Sequence, residues 1–247
     1  MTEFNIPTET VELPSQGKLY PESSPLHSGK VEMKYMTAKE EDILTNQNLI
    51  RSGEVIDRLL KSLIISKVNY DDLLIGDKNA IMLAARILSY GATYDFDYEG
   101  EKQSLDLSKF EPLPLHPDYE AATLNEFTFT LPHSGNVLTF KLLTHGDERL
   151  IDQEIKAMKK INKQGSNDVT ARLSVIITSI NDSRERKDIR EFVNNYFLAK
   201  DAREFRKYYG EISPDIDMSV TLINGEGVEE EATLPITVNF FWPDAWV

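Results

Sequence analysis

Apolar residues in this chain recur at two periods, and the two periods occupy separate runs. Val55, Ile56, Leu59, Leu60, Leu63 and Ile64 share one side of a helix, as do Val169, Leu173, Ile176, Ile177 and Ile180, whereas Tyr94, Phe96 and Tyr98 alternate with acidic residues as strand positions do. A doubly wound parallel sheet needs strand and helix to alternate unit by unit. The separation instead predicts an α+β fold, with helical blocks beside short antiparallel β-hairpins and an extended N-terminal arm. The 247 residues, 40% hydrophobic and 28% charged, suffice for a sizeable core and exclude wholesale disorder.

The first 35 residues hold four of the eleven prolines, a mix that suits an extended, wrapping arm with short strands. Thr37 and Glu40 have the spacing of a capping box, so a helix is expected to start there, with Gly53 separating it from the 55–64 helix. Asp77 is expected to cap a third helix over 78–90 that Gly91 ends in a left-handed C-cap. A hairpin follows over 92–107. The three prolines of residues 110–124 suggest a connector, dividing the chain into 1–110, 111–124 and 125–247. Beyond it, strands are expected over 126–131 and 137–143, then four helices within 147–210, then a closing hairpin of 216–223 with 232–240. The core should include Leu59, Leu63, Ile81, Leu88, Leu173, Ile177, Phe192 and Tyr196; most of them found exposed in an unbound monomer would instead mark an interface.

Little in the sequence suggests reactive chemistry. There is no cysteine, which removes disulfides, thiolate metal sites and thiol nucleophiles. His27, His116, His133 and His145 are scattered without metal-ligand spacing, and read as loop histidines bonded to backbone or water. Ser28-Gly29-Lys30 lacks the earlier glycine of a phosphate loop, Asp71, Asp72 and Asp77 lack calcium-loop spacing, and no nucleophile elbow is present. No metal, nucleotide or other cofactor is therefore expected, and no catalytic residue. The N-terminal residues do not have the pattern of a signal peptide and no run of about 20 apolar residues occurs, so a soluble, intracellular protein is expected.

The net charge of −14 makes a general nucleic-acid coat a poor reading. Charge is unevenly spread, however. Residues 156–207 carry 13 Lys or Arg against 7 Asp or Glu. Either this is a solvated helical surface, or a basic face including Lys159, Lys160, Arg186 and Lys187 that meets an acidic protein surface. The last eight residues hold Phe240, Phe241, Trp242 and Trp246; they are either core staples or partner anchors, with Phe241, Trp242 and Trp246 the candidates.

Several segments, taken in order, resemble the baseplate hub subunit or hub assembly family of T-even-type contractile-tailed bacteriophages. They are Leu13-Pro-Ser-x-Gly17-x-x-Tyr20-Pro21, MTAKEEDIL over 36–44, LLIGDKNAIMLAARILSYG over 73–91, FTFTLPHSG and FKLL in the middle, and LPITVNFFWPD over 234–244. The resemblance spans nearly the whole chain. It implies a non-catalytic factor, chaperone-like or scaffolding, that binds phage tail and hub proteins in the host cell cytoplasm. A permanent subunit of the virion baseplate hub is the alternative, and a carboxylate-based enzyme a more distant one; self-association is left open. Some relatives carry cysteine pairs on two hairpins, in the manner of zinc ribbons, where this chain has acids and glycines at 98–102 and 224–230. No zinc is expected here.

Overall fold

The computed structural model describes residues 5–161 and 168–241. It is an α+β structure in which the strands form small antiparallel sheets. The N-terminal arm is a hairpin of β1 (Thr8–Glu12) and β2 (Lys30–Lys34), whose connecting loop folds back on the first helical block. That block comprises α1 (Ala38–Leu44), α2 (Gln47–Ser52), α3 (Val55–Leu63) and α4 (Ile75–Tyr90). Its inward stripe buries Leu44, Leu59, Leu60, Leu63 and Ile81 completely. The capping box is present: the Glu40 carboxylate accepts from the Thr37 amide at 3.0 Å and is itself buried against Lys34. Gly53 ends α2 in the left-handed conformation, and Asn46 caps its start by accepting from the Asn48 and Leu49 amides, so two short helices stand where one was expected.

The second hairpin, β3 (Thr93–Tyr98) with β4 (Glu101–Asp106), follows α4 directly. Within the expected connector lies a short helix, α5 (Pro117–Ala121), whose Tyr119 is fully buried. Next come β5 (Phe127–Thr130) and β6 (Val137–Phe140), then α6 (His145–Ile161), α7 (Asp168–Ile176), β7 (Ile177–Ile180), α8 (Arg186–Asn195) and α9 (Ala199–Ile212). The order β5-β6-β7 makes one antiparallel sheet. Phe140 on its inner face meets Phe127 at 5.5 Å and Phe205 of α9 at 5.1 Å between ring centres. The chain closes with β8 (Ser219–Ile223), β9 (Glu229–Thr233) and a helical turn, α10 (Val238–Phe241), packed on α4. No described helix is long and apolar enough to cross a membrane.

Six expectations need correction. Ile177 and Ile180 lie on a strand, because Val175, Ile176, Ile177 and Thr178 form a β-branched run that pairs with β6 more readily than it continues a helix. Tyr196 is 63% exposed: α8 ends at Asn195, and Phe197 turns in beside Phe192 in its place. Leu88 is only partly buried, although it packs against the core. The final strand stops at Thr233, since Pro235 cannot donate to a ladder, and residues 238–241 turn helically. Asp77 lies inside α4 and caps nothing there, and Gly91 has φ 85° but ψ 172°, outside the left-handed helical region. Arg86 satisfies that end of the helix instead, donating to the carbonyls of Gly91 and Thr93.

Candidate functional site

Three polar assemblies are built by these elements. The first explains the Leu13-Pro-Ser-x-Gly17-x-x-Tyr20-Pro21 segment. Asp77 is fully buried and accepts from the Ser15 amide at 2.9 Å and the Tyr20 hydroxyl at 2.5 Å. The Tyr20 oxygen in turn accepts from the Leu74 amide at the start of α4, while Tyr119 donates to the Ser15 carbonyl at 2.8 Å. Gly17 has φ 78°, and a Cβ there would stand 2.3 Å from the His27 carbonyl oxygen, so only glycine fits. Every group in the knot has a partner, and its role is to seal the arm onto α4.

The second assembly lies at the floor of a cleft of about 680 Å³ between α2, α3 and α6. Asp57 on α3 accepts from His145 Nε2 at 3.2 Å, from Lys78 Nζ at 2.8 Å and from the Tyr70 hydroxyl at 3.0 Å. Lys78 Nζ also lies 3.2 Å from His145 Nδ1. An ammonium offers only protons, so Nδ1 accepts and Nε2 carries the hydrogen given to Asp57. Burial alone would raise the Asp57 carboxyl, but hydrogen bonds from His145 and Lys78 outweigh it and hold the group well below the usual carboxylate range. Burial, then the Asp57 charge, pushes the Tyr70 hydroxyl well above its ordinary value and keeps it a donor. Both imidazole nitrogens are thus committed, and the network clamps α3, α4 and the N-terminus of α6 together. His145, expected to be a loop histidine bonded to backbone or water, is buried at the first turn of α6 and bonded to side chains.

The third assembly joins the two hairpins tip to tip. Tyr98 donates to Glu230 at 2.6 Å, and the Gly225 amide donates to Glu99 at 3.2 Å. The Gln103 side-chain amide donates to the Ile223 carbonyl and accepts from the Ile223 amide, standing in for a strand neighbour. The loops at 98–102 and 224–230 are therefore knit by carboxylates and amides. Among the described residues, no group of three or more His, Asp or Glu is placed to hold a metal ion.

Of the expected partner-binding residues, those whose side chains are described, Phe241, Arg186 and Lys187, form no single exposed site. Phe241 is fully buried, edge-to-face on Phe240 at 5.1 Å, so it is a core residue and not an exposed anchor. Trp242 and Trp246 lie outside the described residues. Lys159 and Lys160 fall on the last turns of α6, with side chains outside the described set. Arg186 donates to the Ser174 carbonyl in the last turn of α7, and Lys187 is exposed on α8. Sequence reasoning missed the Asp57–His145 clamp because its members meet only in the tertiary fold. No protein-family model matches the chain, and neither a curated protein nor a solved structure matches it.

Proposed function

We propose that this chain is a non-catalytic protein-binding factor in assembly of the central baseplate hub of a contractile-tailed bacteriophage, working in the host cytoplasm as a chaperone-like or scaffolding protein. The observation that carries the reading is where the hub-like segments fall in the fold. Leu13 to Pro21 and the 73–91 helix meet in the Asp77 knot. The loop of FTFTLPHSG is held by buried Asp201, which accepts from the His133 and Ser134 amides at 2.8 and 3.0 Å. Phe240 and Phe241 of the last segment close the core. The resembling residues thus build a framework, which is what a protein acting through its surface needs to keep.

The test is affinity capture of the tagged full chain from infected cells, with mass spectrometry of the purified particles alongside. Hub proteins should co-purify with the chain, and the chain should be missing from finished particles. Stoichiometric presence in particles would instead favour the permanent hub subunit, and capture of no tail protein would sink both readings.

A further inference from the structure

Two exposed surfaces of opposite character stand on this one molecule. The joined hairpins β3–β4 and β8–β9 bring residues 93–106 and 219–233 into one lobe that holds nine Asp or Glu and a single Lys. Like charges set side by side repel, and the lobe contains almost nothing to neutralise them. Amid these acids Ile223 is 43% and Val228 is 55% exposed. At the corner between α8 and α9, Tyr196 is 63% and Leu198 is 51% exposed, and Lys200, Arg203 and Lys207 follow on one face of α9. Asp201, the acid next to Lys200, is buried inward as the cap of the His133 loop, which leaves its cationic neighbours to face solvent. The lobe therefore pairs apolar side chains with carboxylates almost throughout, and the corner pairs them with a cationic excess, in which Lys207 lies 3.8 Å from Glu211 and exposed Glu204 stands beside Arg203; neither surface covers the other within the molecule.

We infer that the Tyr196–Leu198 corner, with Lys200, Arg203 and Lys207, docks the acidic hairpin lobe of a second copy of this chain. The occupant is chosen by complementarity in both respects: the lobe offers carboxylates to the lysines and arginine, and Ile223 and Val228 to the tyrosine and leucine. Because the two surfaces differ, the contact is head-to-tail, and the product is a closed ring or an open chain of subunits. This inference stands independently of the baseplate reading.

Sedimentation velocity on the full chain tests it. At about 100 μM in about 0.05 M NaCl the mass should exceed the 28.2 kDa monomer, and it should return toward that value at about 0.5 M NaCl. Tyr196→Ala should weaken association about tenfold or more. Two charge-reversed variants, Lys200→Glu/Arg203→Glu/Lys207→Glu and Glu226→Lys/Glu229→Lys/Glu231→Lys, alter exposed side chains only, and melting curves verify that each folds. Each should stay monomeric alone, and an equimolar mixture should associate again, since the unaltered corner of one variant then meets the unaltered lobe of the other. The inference is overturned by a wild-type chain that stays monomeric throughout, by association indifferent to either reversal, or by a mixture of folded variants that does not associate.

Discussion

Asp77 and Asp57 show how one residue type can act in opposite directions within a single fold. Burial pushes the Asp77 carboxyl up, against the hydrogen bonds from Ser15 and Tyr20 that favour its charge. The native state then binds the Asp77 proton more tightly than the unfolded chain does, and this group's contribution to stability falls as pH rises through its raised pKa. Asp57 has the reverse sign: its depressed pKa adds stability above the ordinary carboxylate value that is lost as pH falls through the depressed one. Asp57→Asn should therefore cost about 2 kcal/mol near neutrality, with a smaller difference from wild type at about pH 3, as urea melts at both pH values will show. At Asp77, replacement by alanine strands two buried donors, Ser15 N–H and Tyr20 O–H, and should cost about 3 kcal/mol in the same assay. Gly76 is stricter still. A Cβ there would lie 1.8 Å from the Pro214 carbonyl oxygen, so Gly76→Ala should fail to reach the native near-ultraviolet circular dichroism signal.

Among the elements, those with local signals were legible in advance. The Thr37–Glu40 box and the β3–β4 alternation each depend on residues a few positions apart, and both stand where the pattern places them. The run 173–180 was not legible, because a short apolar stretch fits a buried helix and a buried strand equally well; only β6, some forty residues away, decides for a strand from Ile177 on. Phe240 and Phe241 are a similar case. Consecutive strand residues face opposite sides of a sheet, whereas the turn of α10 buries both rings, Phe240 against Tyr94 and Phe241 against Phe240. It follows that Phe241→Ala should lower stability by about 3–4 kcal/mol, whereas Tyr196→Ala, in the dilute monomer, should change it by less than about 0.5 kcal/mol. Thermal melts of the two variants side by side will show whether the aromatic roles are divided in this way. The cleft was opaque for a stronger reason: Lys78 and His145 are 67 positions apart and neither carries a local pattern that announces the other.

For the molecule as a whole, the net charge of −14 is concentrated where the two hairpins meet. Dilute protein, kept at about 1 μM so that molecules stay apart, should melt about 2–4 °C higher when salt is raised from about 0.01 to 0.3 M, because screening relieves repulsion within the lobe. The Glu226→Lys/Glu229→Lys/Glu231→Lys variant should respond less to salt. A response equal to that of wild type would mean that the repulsion resides elsewhere.

The knot around Asp77 also sets an order of events in time. Ser15 is held by Tyr119, 104 positions later, so at about 5–20 residues per second the arm leaves the ribosome roughly 5–20 s before its last partner exists. Until then the Ser15 carbonyl lacks its partner and the seat of the arm is unfinished. Closure of the arm is accordingly a late step in folding, and Tyr20→Phe should speed unfolding while leaving the refolding rate nearly unchanged. A newly made chain thus holds its arm on α4 without the Tyr119 bolt at first, and the arm should become resistant to proteases only once residues beyond 119 have emerged.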